Sequence, residues 1–550
     1  MKKVLLFGLG VTALLPVIAD VAAPERLKEF YSRKISADGS VIYSEMMEEV
    51  QMYRLADKEI VSIGNFMVGN GNCVTKDGSI IVGGTEMDTP VMVVNGEEKS
   101  FPELVEKFAL VSFHGITGDA TRICGLVTNL EGEGTETMYV PAYWDLNSDG
   151  TVGETQYLPY PAKDWQGLDV QHCSAVWISD DGKTILGQVI DWSGMDIYPI
   201  IYKQDDKGEW SYSLPTLSLI NPNKLPLPVY PGDFDGGDPP YYENYMTAEE
   251  KTAYENAVND YYNGNSDTYP EAEDFMTAEQ AAKYKKDCEE YDAKASVYNE
   301  KLEAYLDDKA RIEEESVFFE ENSLTMKADG TMMGMLAEKT VENDDPMAWI
   351  PFKEIKTTYL LDPETSALTK VESPGEDINP APSLILSDGT VIANSPAGSI
   401  EGAYVLAPGA NEYVDFTTYF ATKNAAGAEW LKENFTHEMV VGYDSEEETE
   451  IFEKKIMTGN VVVADDWSVV SGGVEAYMYP DPEDYDLSFE SYIIQKDMSG
   501  VSSVAADVNL VDRKYYDING LEIMKPEQGI YVERSVYSDG TVVTSKKVFK

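Results

Sequence analysis

A chain of 550 residues is longer than one compact core usually supports, so several domains or one large repeat array is expected. Hydrophobic content of 43% and aromatic content of 11% supply ample material for burial, which excludes a globally disordered chain. Against 98 Asp+Glu stand 42 Lys+Arg, and the net charge of −56 sets the chain against nucleic acid and anionic membranes while leaving calcium, cationic partners and neutral glycans open.

The N-terminus reads MKKVLLFGLGVTALLPVIAD. Two lysines precede an apolar run that ends in small residues, which is the pattern of a secretory signal peptide over residues 1–19, cut after Ala19. Pro16 and the short span argue against a membrane helix, and no later run approaches 18 apolar residues. The expected product is secreted or held at the outer cell surface, with no transmembrane segment after cleavage. Cys73, Cys124, Cys173 and Cys288 all follow the cut, and an even number in an oxidising compartment permits two disulfides in any of three connectivities. With only His114, His172 and His437, and no CxxC pair, a zinc site is not expected.

From residue 20 to 505 a repeat governs the chain. Its copies are ISADGSVIYS (35–44), VTKDGSIIVGG (74–84), GITGDATRICG (115–125), ISDDGKTILG (178–187), MKADGTMMG (326–334), ILSDGTVIA (385–393) and VADDWSVVSGG (463–473). Each is followed by an apolar or aromatic strand and a second polar turn, as in AYWDLNSDGTV (142–152). Short alternating runs bounded by Asp-Gly are hairpins, and two hairpins make a four-stranded antiparallel sheet. The key acids Asp38, Asp77, Asp119, Asp181, Asp329, Asp388 and Asp465 lie 39, 42, 62, 148, 59 and 77 residues apart, and the shorter gaps match one propeller blade. The expected fold is all-β: a β-propeller of about seven blades, six or eight being the neighbouring counts, with a sandwich or solenoid as the competitor. Comparing the copies assigns Asp181 to a turn and leaves Asp180 as a solvated neighbour, because that position is Ala37, Lys76, Ala328 or Ser387 elsewhere. The repeat resembles HAF-type extracellular repeats of secreted bacterial propeller-like proteins, a resemblance that implies the scaffold and says almost nothing about activity.

One second turn is richer than the others. Asp145, Asn147 and Asp149 with Gly150 have the alternate oxygens of a calcium loop. Gln156 stands where such a loop needs a bidentate glutamate, and no helix enters, so a hairpin turn is preferred over calcium. No other cofactor is expected.

The 148-residue gap holds an insertion at about 221–322. After a Pro/Gly-rich loop, Thr247 with Glu250 and Thr277 with Gln280 have capping-box spacing, which predicts two helices in a hairpin. On the second, Tyr284, Tyr291, Tyr298 and Tyr305 recur every seven residues. Such a stripe serves either packing or an interaction surface for a glycan or protein, packing being the preferred reading.

Residues 506–550 read as a small β module with an Asn519-Gly520 turn and a basic end. Tyr516, Asp517, Gly520, Gly529, Tyr531, Lys546, Lys547 and Lys550 resemble the C-terminal sorting domain of the type IX (Por) secretion system of Bacteroidetes. The resemblance implies export through that machinery.

No GxSxG, HExxH, phosphate-binding loop or dinucleotide fingerprint is present. A glycosidase needs two carboxylates about 5 to 10 Å apart, and among 98 acids the sequence nominates no catalytic residue. The function expected is binding or adhesion at the cell exterior, to a glycan or protein, rather than catalysis. The alternative is a secreted propeller hydrolase acting on polysaccharide.

Overall fold

The computed structural model describes residues 23–46, 49–85, 89–128, 138–190, 197–320, 323–342, 352–375, 378–395, 402–444, 449–481, 484–496, 510–516, 522–523, 529–537 and 542–549. The signal-like segment 1–19 lies outside them.

The chain is mostly β and built from four-stranded antiparallel meanders. Ser32–Ile35, Val41–Met46, Glu49–Arg54 and Glu59–Asn65 form one, and Met67–Val68, Ile80–Gly84, Pro90–Val94 and Glu97–Lys99 the next. Three further meanders, beginning at Val111–Ile116, His172–Ile178 and Thr325–Met326, join edge to edge into a 13-stranded sheet. Another begins at Ala381–Ile385. The last begins at Asn460–Val463, and its fourth strand is supplied by the other end of the chain: Glu25–Lys28 pairs with Asp484–Gln495. This closure is sealed in the interior. Ser32 Oγ meets Ser471 Oγ at 2.7 Å and Ser491 Oγ at 3.0 Å, all three residues being fully buried.

The Asp-Gly turns fold as the repeat predicts, for a local reason. In each, the aspartate Oδ1 accepts the amide two residues on: Ser40, Ser79, Thr121, Lys183, Thr331 and Thr390. The following residue has positive φ, which glycine adopts without a Cβ clash. Two copies depart from glycine, with Ala120 at φ 59° and Trp467 at φ 62°. Trp467 corrects the alignment of the last copy. The turn aspartate there is Asp466, whose Oδ1 accepts the Ser468 amide at 2.8 Å, and Asp465 holds the preceding position. The left-handed tryptophan is retained because its buried ring stacks among Phe416, Phe420 and Tyr419.

The insertion joins the strand Trp210–Ser213 to the strand Thr325–Met326. Its helices are Ala248–Tyr262 and Ala278–Glu313, and both capping boxes are formed. The long helix does not turn its tyrosines to the shorter helix. Tyr305, Tyr298, Tyr291 and Tyr284 are met by the preceding loop, through Tyr230, Phe234 and Tyr245 at ring separations of 5.3 to 5.4 Å. The shorter helix packs through buried Tyr254 onto Tyr242 and Phe275. No described helix is long and apolar enough to cross a membrane.

The four cysteines are free thiols, which replaces the expectation of disulfides. Cys124 and Cys173 are buried on strands and Cys73 is buried between two of them, while Cys288 is partly exposed on the long helix. Burial pushes the first three thiols up, Cys173 to about 12, so they behave as small apolar side chains rather than nucleophiles.

Candidate functional site

The first strands of six meanders, with Gly118 just after the first strand of the other, line a common cavity of about 600 Å³, within the size range of small-ligand sites. One stretch shows how tightly they approach. In Gly69-Asn70-Gly71-Asn72 a Cβ on Gly71 would lie 1.8 Å from the Val176 carbonyl oxygen, so only glycine fits. Asn72 then bridges two neighbouring strands, donating to the Ile116 and Ile178 carbonyls and accepting the Ile178 amide.

At the turn end of the cavity, the residue before each turn aspartate belongs to a chain of bonds between meanders. The Asp465 amide donates to Ala37, the Asp38 amide to Lys76, the Lys76 amide to Gly118 and the Asp180 amide to Ala328, at 2.7 to 3.2 Å. Side chains complete two links, with the Gly118 amide bonding Asp180 Oδ1 and the Ser387 amide bonding Asp465 Oδ1. Asp180 is therefore not a solvated neighbour. Besides the Gly118 amide it holds Lys76 Nζ at 2.7 Å, and this bond raises the lysine pKa. Repeat comparison missed this because each copy sends a different side chain to the same mouth.

Every acid lining the cavity is engaged. Glu45 faces Arg33 at 3.7 Å and accepts the Val68 amide. Asp329 meets Lys327 at 2.8 Å and Thr331. Burial pushes the Asp329 carboxyl up, but the Lys327 and Thr331 bonds outweigh it and hold it below the usual carboxylate value. Asp180 and Asp465 hold the partners just described. The cations are less evenly matched: among the described residues Lys34 Nζ donates to the Gly71 carbonyl alone, at 3.1 Å, and lies 5.8 Å from the Trp177 ring centroid.

Beside the cavity wall lie two histidines. His114 Nδ1–H donates to the Ala175 carbonyl at 3.1 Å, while the buried His172 Nε2 has no partner among the described residues. Burial lowers both pKa values to about 4, and for His172 the neighbouring His114 lowers it further. Both rings are neutral at physiological pH. His437 lies on the strand Thr436–Asp444.

The residues singled out by sequence are scattered. Asp145 is drawn to Arg122 at 2.7 Å, an arginine that also reaches the Gly182 carbonyl. Asn147 donates to Thr151 Oγ1, and Asp149 accepts the Thr151 amide and hydroxyl, so these two share Thr151 while Asp145 turns to Arg122. The tyrosine stripe belongs to the insertion's own packing, Tyr305 being buried. In the tail, Tyr516 ends the strand Leu510–Tyr516, Gly529 and Tyr531 lie on Gly529–Tyr537, and Lys546 and Lys547 on Val542–Phe549. These strands share a four-stranded sheet in which Tyr531 is the backbone register partner of Lys547. Asp517, Gly520 and Lys550 lie outside the described residues. Lys34, Asn72 and Trp177 were not nominated; the Gly-Asn-Gly-Asn run was the one available signal.

No family model matches the chain, and no curated protein matches it in sequence. Among solved structures it is similar to an oligogalacturonate lyase in complex with manganese (10% identity, 86% of this chain and 92% of that one, TM-score 0.39). It is also similar to the RRP9 WD40 repeats (7%, 86% and 98%, 0.33) and to the WD40 domain of SCAP from fission yeast (8%, 96% and 89%, 0.28). Similarity of this degree carries no argument about activity or ligand.

Proposed function

We propose that the chain is an exported, seven-bladed β-propeller that binds a glycan in its central channel and does not cleave it. The blade count is supported by seven turns of one type and by the chain of bonds linking their mouths. Export is supported by the signal-like residues 1–19, and delivery through type IX machinery by the resemblance of residues 506–550.

One observation carries the preference for binding over hydrolysis. The four channel acids, Glu45, Asp180, Asp329 and Asp465, are each tied to a cation or a backbone amide. Glycoside hydrolysis needs one carboxyl held protonated and a second free to attack or activate water. Engaged carboxylates instead shape and polarise a recess that holds a ligand by contact. The test is a glycan panel read for binding, together with release of reducing ends from the same glycans by the full chain. Saturable binding without product supports the reading, and turnover on any glycan overturns it.

A further inference from the structure

We propose that the channel takes a small sugar acid, its carboxylate on Lys34 Nζ and its ring against the exposed part of Trp177. This rests on the binding reading and names the ligand class.

Three of the channel's four cations meet carboxylates: Arg33 with Glu45, Lys76 with Asp180 and Lys327 with Asp329. Lys34 does not, among the described residues. Its ammonium has three donors and spends one on the Gly71 carbonyl. A half-buried lysine facing a cavity without a carboxylate partner is out of keeping in a chain with 98 acids and 42 bases. An entering carboxylate would take the two remaining N–H groups in charge-assisted bonds.

Trp177 defines the rest of the ligand. Its indole N–H already donates to the Leu324 carbonyl at 2.8 Å and the side chain is buried, so what it offers the cavity is the small part of its ring left exposed. Lys34 Nζ lies over this ring, so a pyranose whose exocyclic carboxylate reaches the ammonium brings its C–H groups against the exposed part of the indole. The remaining wall favours a single negative charge. The other cations are neutralised by their partners, and the net charge of −56 repels a polyanion at long range. The volume of about 600 Å³ admits a mono- or disaccharide.

The experiment titrates the full chain with glucuronate, glucose and N-acetylalanine by calorimetry, for wild type, Lys34→Met, Lys34→Arg and Trp177→Ala. Melting curves confirm that each variant is folded. Glucuronate should bind saturably and glucose at least tenfold more weakly. Lys34→Met should weaken glucuronate at least tenfold, about 1.4 kcal/mol, while Lys34→Arg retains most of the affinity. Equal binding of glucose and glucuronate, lost in Trp177→Ala but not in Lys34→Met, overturns the acid assignment and leaves the channel reading standing. N-acetylalanine binding as tightly as glucuronate overturns the sugar. No saturable binding of any probe overturns the proposal, whereas the channel reading itself answers to the wider glycan panel.

Discussion

Mild acid should destabilise this protein through two histidines. His114 and His172 have folded pKa values of about 4 against an ordinary 6.5, because burial opposes their charged forms. For a base whose folded pKa is depressed, the unfolded chain binds the extra protons. Stability is therefore unaffected above about pH 7 and is lost progressively as pH falls from 6.5 toward 4. At pH 5 each ring has surrendered about 2 kcal/mol, or roughly 4 kcal/mol for the pair, relative to pH 7.5. His172 should contribute at least its share, since its buried Nε2 has no described acceptor for a new proton. The turn carboxylates Asp77 and Asp119 do not obscure this window. Burial raises Asp77 and Asp119, but bonds from Ser79 and Thr75, and from Thr121 and Thr117, outweigh it and hold them below 3.8, so their contribution is lost only in stronger acid. The assay is urea unfolding at pH 7.5 and 5.0 for wild type and for His114→Gln/His172→Gln. Comparing the two cancels the general relief of negative charge on acidification. The double variant should lose about 4 kcal/mol less between the two pH values than wild type. Equal losses, or histidine resonances titrating near pH 6.5 in the folded protein, would refute the reasoning.

Other outcomes follow from the same contacts. Gly118→Ala places a Cβ 2.5 Å from Asp180 Oδ1 and 2.8 Å from Lys76 Cγ, and should cost about 1–3 kcal/mol in thermal or urea unfolding. In an Asp180→Ala background that cost should shrink, and an unchanged cost contradicts the described geometry. Thr277→Ala removes one half of a capping box and should destabilise the long helix by about 1 kcal/mol, read as faster amide exchange in its first turn. Thiol titration in denaturant without reductant should count four, with Cys288 reacting first in the native state; a count of zero restores two disulfides. Chelation should leave the melting temperature unchanged, because Asp145 and Asp149 already hold Arg122 and Thr151. A drop that Asp149→Ala abolishes would restore the calcium loop.

The sequence made most of the scaffold legible because its rules are local. A turn aspartate bonding the amide two residues on, and a threonine capping a helix, need no distant partner, so Asp77 and Thr277 announced themselves. The last turn was misaligned because Trp467 replaces glycine, and the interaction that retains it comes from Phe416 and Phe420 about fifty residues earlier. The closing strand Glu25–Lys28 pairs with residues more than 460 positions away, a distance over which strand patterns carry no pairing information. The site was less legible still. Lys34 is distinctive only because nearby lysines meet carboxylates and it meets none among the described residues, which is a property of the assembled mouth. The tyrosine stripe was visible as a heptad, yet its partner is an irregular Pro/Gly-rich loop that no helical template describes.

Binding without turnover in the central channel is tested most directly by incubating the full chain with a panel of neutral and acidic oligosaccharides and measuring, in one experiment, bound ligand and newly formed reducing ends. The account predicts saturable binding that Trp177→Ala removes, with no product above the protein-free control. Product formation that survives purification to homogeneity, or binding indifferent to Trp177→Ala, would contradict it.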